Sequence, residues 1–401
     1  MTGSRIYLDH NASAPLRPEA RAAMLAAFDL VGNPSSVHAE GRRARALVED
    51  AREEVALLVG ASPGEVVFTS GATESNAWVM GAGWRRIALA GVEHSSVIEP
   101  ARGAAAQIAW LPVDGDGRID PAATAGLAGA PEAGGALITV QMANNETGIV
   151  QPIEEIAGAA RAAGLVLHSD AVQAAGRMRI DVRSLGIDFL SLSAHKLGGP
   201  KGVGALIIRD GASLRPMFSG GGQELRRRAG TQNVAGIAGF GAAARAARED
   251  LAATGRIRAR RDLLERAVKR FTPGVEIIGE SVPRLPNTSA IAWPGKTAAE
   301  LVMRLDLDGI AVSAGAACSS GKVGESHVLK AMGVPAELSR STIRVSLGAE
   351  TGGPELNGFL TSWLAIRGPL NGERTDPVMV DALLAAATGP SMKEKSDARS
   401  S

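Results

Sequence analysis

The chain has 401 residues, more than one compact domain usually holds, and its 45% hydrophobic and 21% charged residues are the balance of an ordinary globular protein. Its 43 basic and 42 acidic residues leave a formal charge of +1, which gives no electrostatic case for nucleic acid or a membrane surface as partner. No apolar run approaches the ~18 residues of a membrane span, MTGSRIYLDHNASAP lacks the pattern of a secretory signal, and one cysteine cannot make an internal disulfide, so a reducing cytoplasm is expected. In chain order, Ala44, Leu47, Val48, Ala51, Val55 and Leu58 step by three and four and mark an amphipathic helix within 36–59. Short β-rich runs follow at 65–69, 87–90, 108–113, 136–142, 165–169, 189–193 and 203–209. Helical patterns at 74–81, 97–106 and 153–163 lie between several of them, which predicts crossover units and a mostly parallel sheet. Residues 234–270 are strongly helical, with an interruption expected at Gly255. A smaller α/β region then runs to about 387, and the polar stretch 388–401 is expected to be disordered.

Two strand ends carry opposite chemistry. The run Leu165-Val-Leu-His-Ser-Asp170 ends on a carboxylate, and Phe189-Leu-Ser-Leu-Ser193 leads into His195 and Lys196. Parallel sheets bind ligands at the carboxyl ends of their strands. An acid and an amine facing one crevice there suit a pyridoxal cofactor: the amine forms a Schiff base, and the acid keeps the ring nitrogen protonated. Ser70-Gly-Ala-Thr73, between a strand and a helix, offers backbone N–H groups and a hydroxyl to a phosphate. Ser193 and His195 are further donors, and Gly198, Gly199, Gly202 and Gly204 permit tight backbone around the lysine.

Other features point less far. The six histidines are scattered and none pairs with Cys318 at ligand spacing, so no resident metal is expected. Gly220-Gly-Gly222 lacks the Gly-Lys-Ser/Thr of a nucleotide-binding loop. His168 shares a strand face with Asp170 and is expected to support the site without reacting. His10, His38 and His327 are left as structural residues. Arg226-Arg227-Arg228 reads as a solvated face, with an acidic partner protein or a dimer interface as the alternative.

Taken together, YLDHNASAP at 7–15, GATESN at 71–76, EHSSV at 93–97, NNETG at 144–148, HSDAVQ at 168–173 and SLSAHKLGGPKGVGAL at 191–206 resemble the NifS/IscS type of cysteine desulfurase, in the class V aminotransferase family. GGGQE at 220–224, GTQN at 230–233, SAGAACSSG at 313–321 and IRVSLG at 343–348 continue the resemblance over nearly the whole chain. It implies a pyridoxal 5'-phosphate-dependent transferase of fold type I. A large domain at 14–258 would carry a mostly parallel seven-stranded sheet, and residues 1–13 and 259–387 would form a small α/β domain. Lys196 would bear the cofactor, Asp170 would pair with its ring nitrogen, Gln173 would bond the ring oxygen and His94 would stack on the ring. Ala72, Thr73, Ser193 and His195 would hold the phosphate, with Thr231 reaching it from the partner subunit of a homodimer. Arg344 and Asn145 would bind the substrate carboxylate, although a lone arginine is also often a structural ion-pair partner.

Cys318, on a loop (313–323) rich in small residues and expected to move, would take sulfur from L-cysteine as a persulfide, leaving L-alanine. The sulfur would pass to a sulfur-acceptor protein or an iron–sulfur scaffold, and Cys318 would meet an iron–sulfur cluster only during transfer. Selenocysteine lyase shares this cofactor chemistry, whereas a general aminotransferase needs no nucleophilic thiol. A catalytically idle scaffold for iron–sulfur assembly is the reading from another class, and every catalytic position named is filled by a competent residue. HNASAP departs from a family pattern that often has threonine near its end, and Ala77 stands where a second asparagine is common. Neither change removes a reacting group.

Overall fold

A computed structural model describes residues 5–127, 135–315 and 325–369, so Cys318 and the tail 388–401 lie outside the described residues. Strand β1 (Ile6–Tyr7) is followed by helices α1 (Pro18–Phe28) and α2 (Ala39–Val59). Then β2 (Val66–Thr69), β3 (Arg86–Ala90), β4 (Gln107–Leu111), β5 (Ala136–Thr139), β6 (Val166–Asp170), β7 (Phe189–Ser193) and β8 (Gly204–Ile208) form one sheet, in the order β2-β8-β7-β6-β5-β3-β4. Strand β8 is antiparallel to both its neighbours, and the other pairs are parallel. The connections carry α3 (Ala72–Met80), α4 (Ser95–Gly103), α5 (Ile153–Ala162) and the single turn α6 (Val182–Leu185). Every strand expected from the sequence is present. Strand β4 stops before Pro112, which has no N–H to donate.

The strands read as continuous apolar runs because both faces of the sheet are covered. Successive side chains alternate between the faces. Phe68, Ala88, Ala90, Leu190, Leu192 and Ile207 pack into one core with residues of α2, α5 and α7 (Val234–Asp250). Val67, Ile87, Leu89, Phe189, Leu206 and Ile208 pack on the other side with Trp78 of α3 and Val97 of α4. The glycines of α7 let helices approach: a Cβ at Gly241 would lie 2.5 Å from Ala51 Cα.

The interruption expected at Gly255 falls elsewhere. A 3-10 turn at Leu251–Ala253 separates α7 from α8 (Thr254–Phe271), and Gly255 lies in the first turn of α8. The break therefore comes just ahead of Gly255, in a turn that contains no glycine.

Beyond α8 come β9 (Glu276–Ile277), β10 (Thr288–Ala292), α9 (Ala298–Leu307), β11 (Ile310–Ala311), β12 (Ser313–Ala314), α10 (His327–Ala331), α11 (Ala336–Arg340), β13 (Thr342–Ser346) and α12 (Gly353–Arg367). Strands β12-β13-β10-β9 make an antiparallel sheet, and β1 pairs in parallel with β11. A separate apolar cluster joins Leu264, Leu301, Ile343, Phe359 and Trp363 with Leu8 from the N-terminal segment. Leu8 thus packs with the C-terminal elements, and the next residue, Asp9, bridges to Ser346 of β13. Among the described residues, no helix is long and apolar enough to cross a membrane.

Candidate active site

The parallel pairing of β6 with β7 brings Asp170 and the turn after Ser193 to the same edge of the sheet, with Asp170 opposite Ser191. Strand β2 ends there too: Thr69 and Ser193 both pair with Gly204. A Cβ at Gly204 would meet Leu192 O at 2.6 Å and Gly71 Cα at 2.7 Å, so only glycine lets the two strand ends come this close. The loop beyond Thr69 opens helix α3 at Ala72, and its N-cap Gly71 provides no side-chain cap. Glu74, in the first turn, is neutralised by Arg228 at 3.0 Å and turns back onto Ser70 N at 2.8 Å. The positive end of α3 therefore keeps its preference for an anion.

The Asp170 carboxylate is buried and accepts from Asn76 Nδ2 at 2.8 Å and from Val172 N at 3.0 Å. Asn76 also donates to Ser96 Oγ at 2.9 Å, and Ser96 Oγ lies 2.8 Å from His94 Nδ1. His94 caps α4, with its ring accepting from Ser96 N. Burial holds the His94 pKa below the usual imidazole range; Lys196 and His327 push the same way, against Asp170. His94 is thus a neutral ring within the field of both the acid and the amine. Lys196 Nζ donates to the carbonyls of Asn11 at 2.6 Å and Ala12 at 3.0 Å. Gln173 Nε2 donates to the same Asn11 carbonyl at 3.0 Å. His195 lies 3.3 Å from Ser13 Oγ, and burial with the charges of Lys196 and Lys201 brings its pKa down to about 4.

The smaller unit contributes Arg344 from β13, which is buried and donates to Asp9 Oδ1 at 2.8 Å and to the Asn145 carbonyl at 3.0 Å. Its ion pair with Asp9 means that the structural alternative considered for this arginine is physically present. Among the described residues, Nε of Arg344 is buried without a hydrogen-bond partner. Thr231 is exposed. Arg228 also lies over the Phe218 ring at 5.5 Å, and Arg227 donates to Gly64 O at 2.9 Å. Two of the three clustered arginines are therefore tied to their own chain.

Several site residues escaped the sequence reading of roles: Asn11, Asn76, Ser96, Asp9 and Glu93. Glu93 is wholly buried, both its oxygens accept from Gln141 N, and burial raises its pKa well above the carboxylate range. Its place next to His94 was the available signal. His168 is sealed between Thr139 Oγ1 at 2.7 Å and Ser191 Oγ at 3.0 Å, and burial lowers its pKa to about 4. Above pH ~6.5, the ordinary histidine value, it is neutral both folded and unfolded and adds no pH dependence. Between there and pH 4 only the unfolded chain takes up the proton, so stability falls as pH falls. Urea unfolding should show the wild type losing about 3 kcal/mol more than His168→Gln between pH 7 and 4. Equal losses would refute this assignment, since His10 and His195 are displaced the same way in both proteins.

An amine, a buried carboxylate, a neutral imidazole and an uncapped helix N-terminus are together the donor set that pyridoxal phosphate requires, and the residues present fit it. Residues 6–357 match the family model for class V aminotransferases. The chain is 40% identical over 364 residues to cysteine desulfurase IscS of Dictyoglomus turgidum, covering 88% of this chain and 92% of the relative. Among solved structures, a NifS-like protein from Rickettsia africae superposes with a TM-score of 0.84 at 34% identity, covering 90% of this chain and 99% of that one. SspA, solved in complex with cysteine, superposes at 0.72 with 30% identity, covering 85% and 98%. Members of the matched family use pyridoxal phosphate. With its motifs in order, its strand ends arranged for that cofactor and its sequence matched over most of its length, the chain belongs to the class V aminotransferase family, among the NifS/IscS-like cysteine desulfurases.

Proposed function

We propose that this protein is a cysteine desulfurase, converting L-cysteine to L-alanine and carrying the sulfur as a persulfide on Cys318. The observation that carries the reading is the convergence of Asp170 and Lys196 at neighbouring ends of β6 and β7, beside the neutral ring of His94. Pyridoxal phosphate, when bound, supplies an electron sink for the carbon bearing the amino group. Asp170 holds a proton at the ring nitrogen, Gln173 donates to the ring oxygen and His94 covers one ring face. The N–H groups of Ala72 and Thr73, with Ser193 and His195, hold the phosphate, and Thr231 comes from the partner of a homodimer. Lys196 moves the Cα proton. Arg344 and Asn145 orient the substrate carboxylate, and the 3.0 Å bond from Arg344 to the Asn145 carbonyl, which holds the two together, supports that role. The working division is a large domain at 14–258 and a small one formed by 1–13 with 259–387. The separate core around Leu8 and Trp363 supports it. The protein is expected to work in the cytoplasm and to deliver sulfur to an acceptor or iron–sulfur scaffold protein.

Holoenzyme given L-cysteine and a reductant should form alanine and sulfide in equal amounts, measured by amino-acid analysis and a colorimetric sulfide assay. Cysteine consumption yielding pyruvate and ammonia instead of alanine would replace desulfuration with an elimination and overturn the reading.

A further inference from the structure

Arg177 lies one turn beyond Gln173, and its guanidinium joins three stretches of chain. Nη1 donates to the Gln173 carbonyl at 3.0 Å and to Gln173 Oε1, while Nη2 donates to the carbonyls of His10 at 3.2 Å and Lys196 at 3.3 Å. All four acceptors are neutral. Burial, with the charge of Arg344 nearby, brings the Arg177 pKa down to about 9. A cation held against both burial and a like charge is a costly way to satisfy neutral acceptors.

The amide of Gln173 shows what the cation achieves. A guanidinium only donates, so the amide atom facing Arg177 must be the oxygen. A backbone carbonyl only accepts, so the atom 3.0 Å from Asn11 O must be the nitrogen. Asn and Gln amides usually have two orientations of similar merit. Here two one-way partners exclude the flipped one. One proton remains on Nε2, so whatever rests against it must be an acceptor. The carbonyl of Lys196 is bonded to the same guanidinium, which couples this orientation to the backbone of the reactive amine.

We propose that Arg177 is a positioning residue that locks Gln173 as a hydrogen-bond donor toward the cofactor's ring oxygen and ties that lock to the Lys196 backbone. The proposal rests on the reading of Gln173 as a cofactor contact. Lysine at position 177 still only donates and preserves the lock; glutamine both donates and accepts, which leaves the Asn11 carbonyl alone to hold the orientation.

The test uses holoenzyme carrying Arg177→Gln, Arg177→Lys, Gln173→Leu or the double change Arg177→Gln/Gln173→Leu. The readouts are the pH at which the visible band of the bound cofactor changes and the pyridoxal phosphate concentration for half-saturation. Arg177→Gln and Gln173→Leu should each weaken cofactor retention about 5-fold, the scale of one hydrogen bond, and displace the pH midpoint in the same direction. The double variant should be no worse than the poorer single one, because both remove one contact. Arg177→Lys should stay closer to wild type on both readouts. Equal effects of Arg177→Gln and Arg177→Lys on thermal stability, with neither moving the midpoint, would make Arg177 a structural residue and overturn the proposal. An unmoved midpoint in Gln173→Leu would instead overturn the cofactor contact on which it rests.

Discussion

Cys318→Ala is expected to abolish sulfide release from L-cysteine, with a loss on the order of 10³-fold or more, the scale on which removing an enzyme's nucleophile acts. Cys318 is the only cysteine of the 401 residues, so a persulfide on this protein has one possible address. In the proposed transfer, the thiolate of Cys318 attacks the substrate sulfur; an S–S bond forms, the substrate's C–S bond breaks and its β-carbon takes up a proton. Sulfur leaves cysteine and alanine remains, with no outside oxidant. An alanine side chain cannot accept the sulfur, whereas cofactor and substrate binding need not change. The variant should therefore still show a spectral response to L-cysteine while forming neither alanine nor sulfide. Iodoacetamide should inactivate the wild type as one alkyl group is incorporated, and leave the spectral response of Cys318→Ala unaltered. Alanine and sulfide formed at wild-type rates by the variant would show that sulfur leaves without the protein thiol.

The parts of this fold that were legible in the sequence are those whose neighbours in space follow from local pattern. The strands are covered on both faces, so each appears as a short aliphatic run. Asp170 and Lys196 stand at or just beyond strand ends, where a charged residue after such a run attracts attention. The supporting residues were not legible because their partners are distant in sequence. Asn76 reaches Asp170 across 94 residues, and Asn11 reaches Thr288 across 277. An asparagine within a helix or a loop has no local feature that announces such a contact. The same holds for Asp9, which meets Arg344 across 335 residues and turns a candidate substrate group into half of an ion pair.

Backbone strain was equally hidden. Glu224, Leu225 and Arg226 adopt φ of 47°, 55° and 66° in succession, although none is glycine or asparagine. Only the tertiary structure explains this. Glu224 is buried, receives a two-pronged contact from Arg52 at 2.8 and 3.0 Å and accepts from Phe68 N at 2.9 Å. That fixed carboxylate holds the strained turn beside β2, just ahead of the loop that begins α3. The break between α7 and α8 lies at Leu251–Ala253, two residues before Gly255, where no local residue type marks it.

Lys196→Ala and Lys196→Arg should both lose alanine formation by roughly 10⁴-fold, the upper end for a positioned acid–base group. The pair of substitutions separates chemistry from architecture. In the structure Nζ donates to the carbonyls of Asn11 and Ala12 at 2.6 and 3.0 Å, so the lysine also anchors the N-terminal segment. Alanine removes the anchor and the amine together. Arginine keeps the positive charge and N–H donors for those carbonyls, but its guanidinium does not give up a proton near neutral pH and cannot serve as the base at Cα. If Lys196 moves that proton, arginine restores thermal stability toward wild type and leaves activity near the alanine level. If the lysine mattered only as an anchor, arginine would restore both. Turnover in Lys196→Arg within about tenfold of wild type, against the loss expected for a missing acid–base group, would therefore reassign the base. The next candidate would then be His94, whose lowered pKa keeps its ring neutral and able to accept a proton.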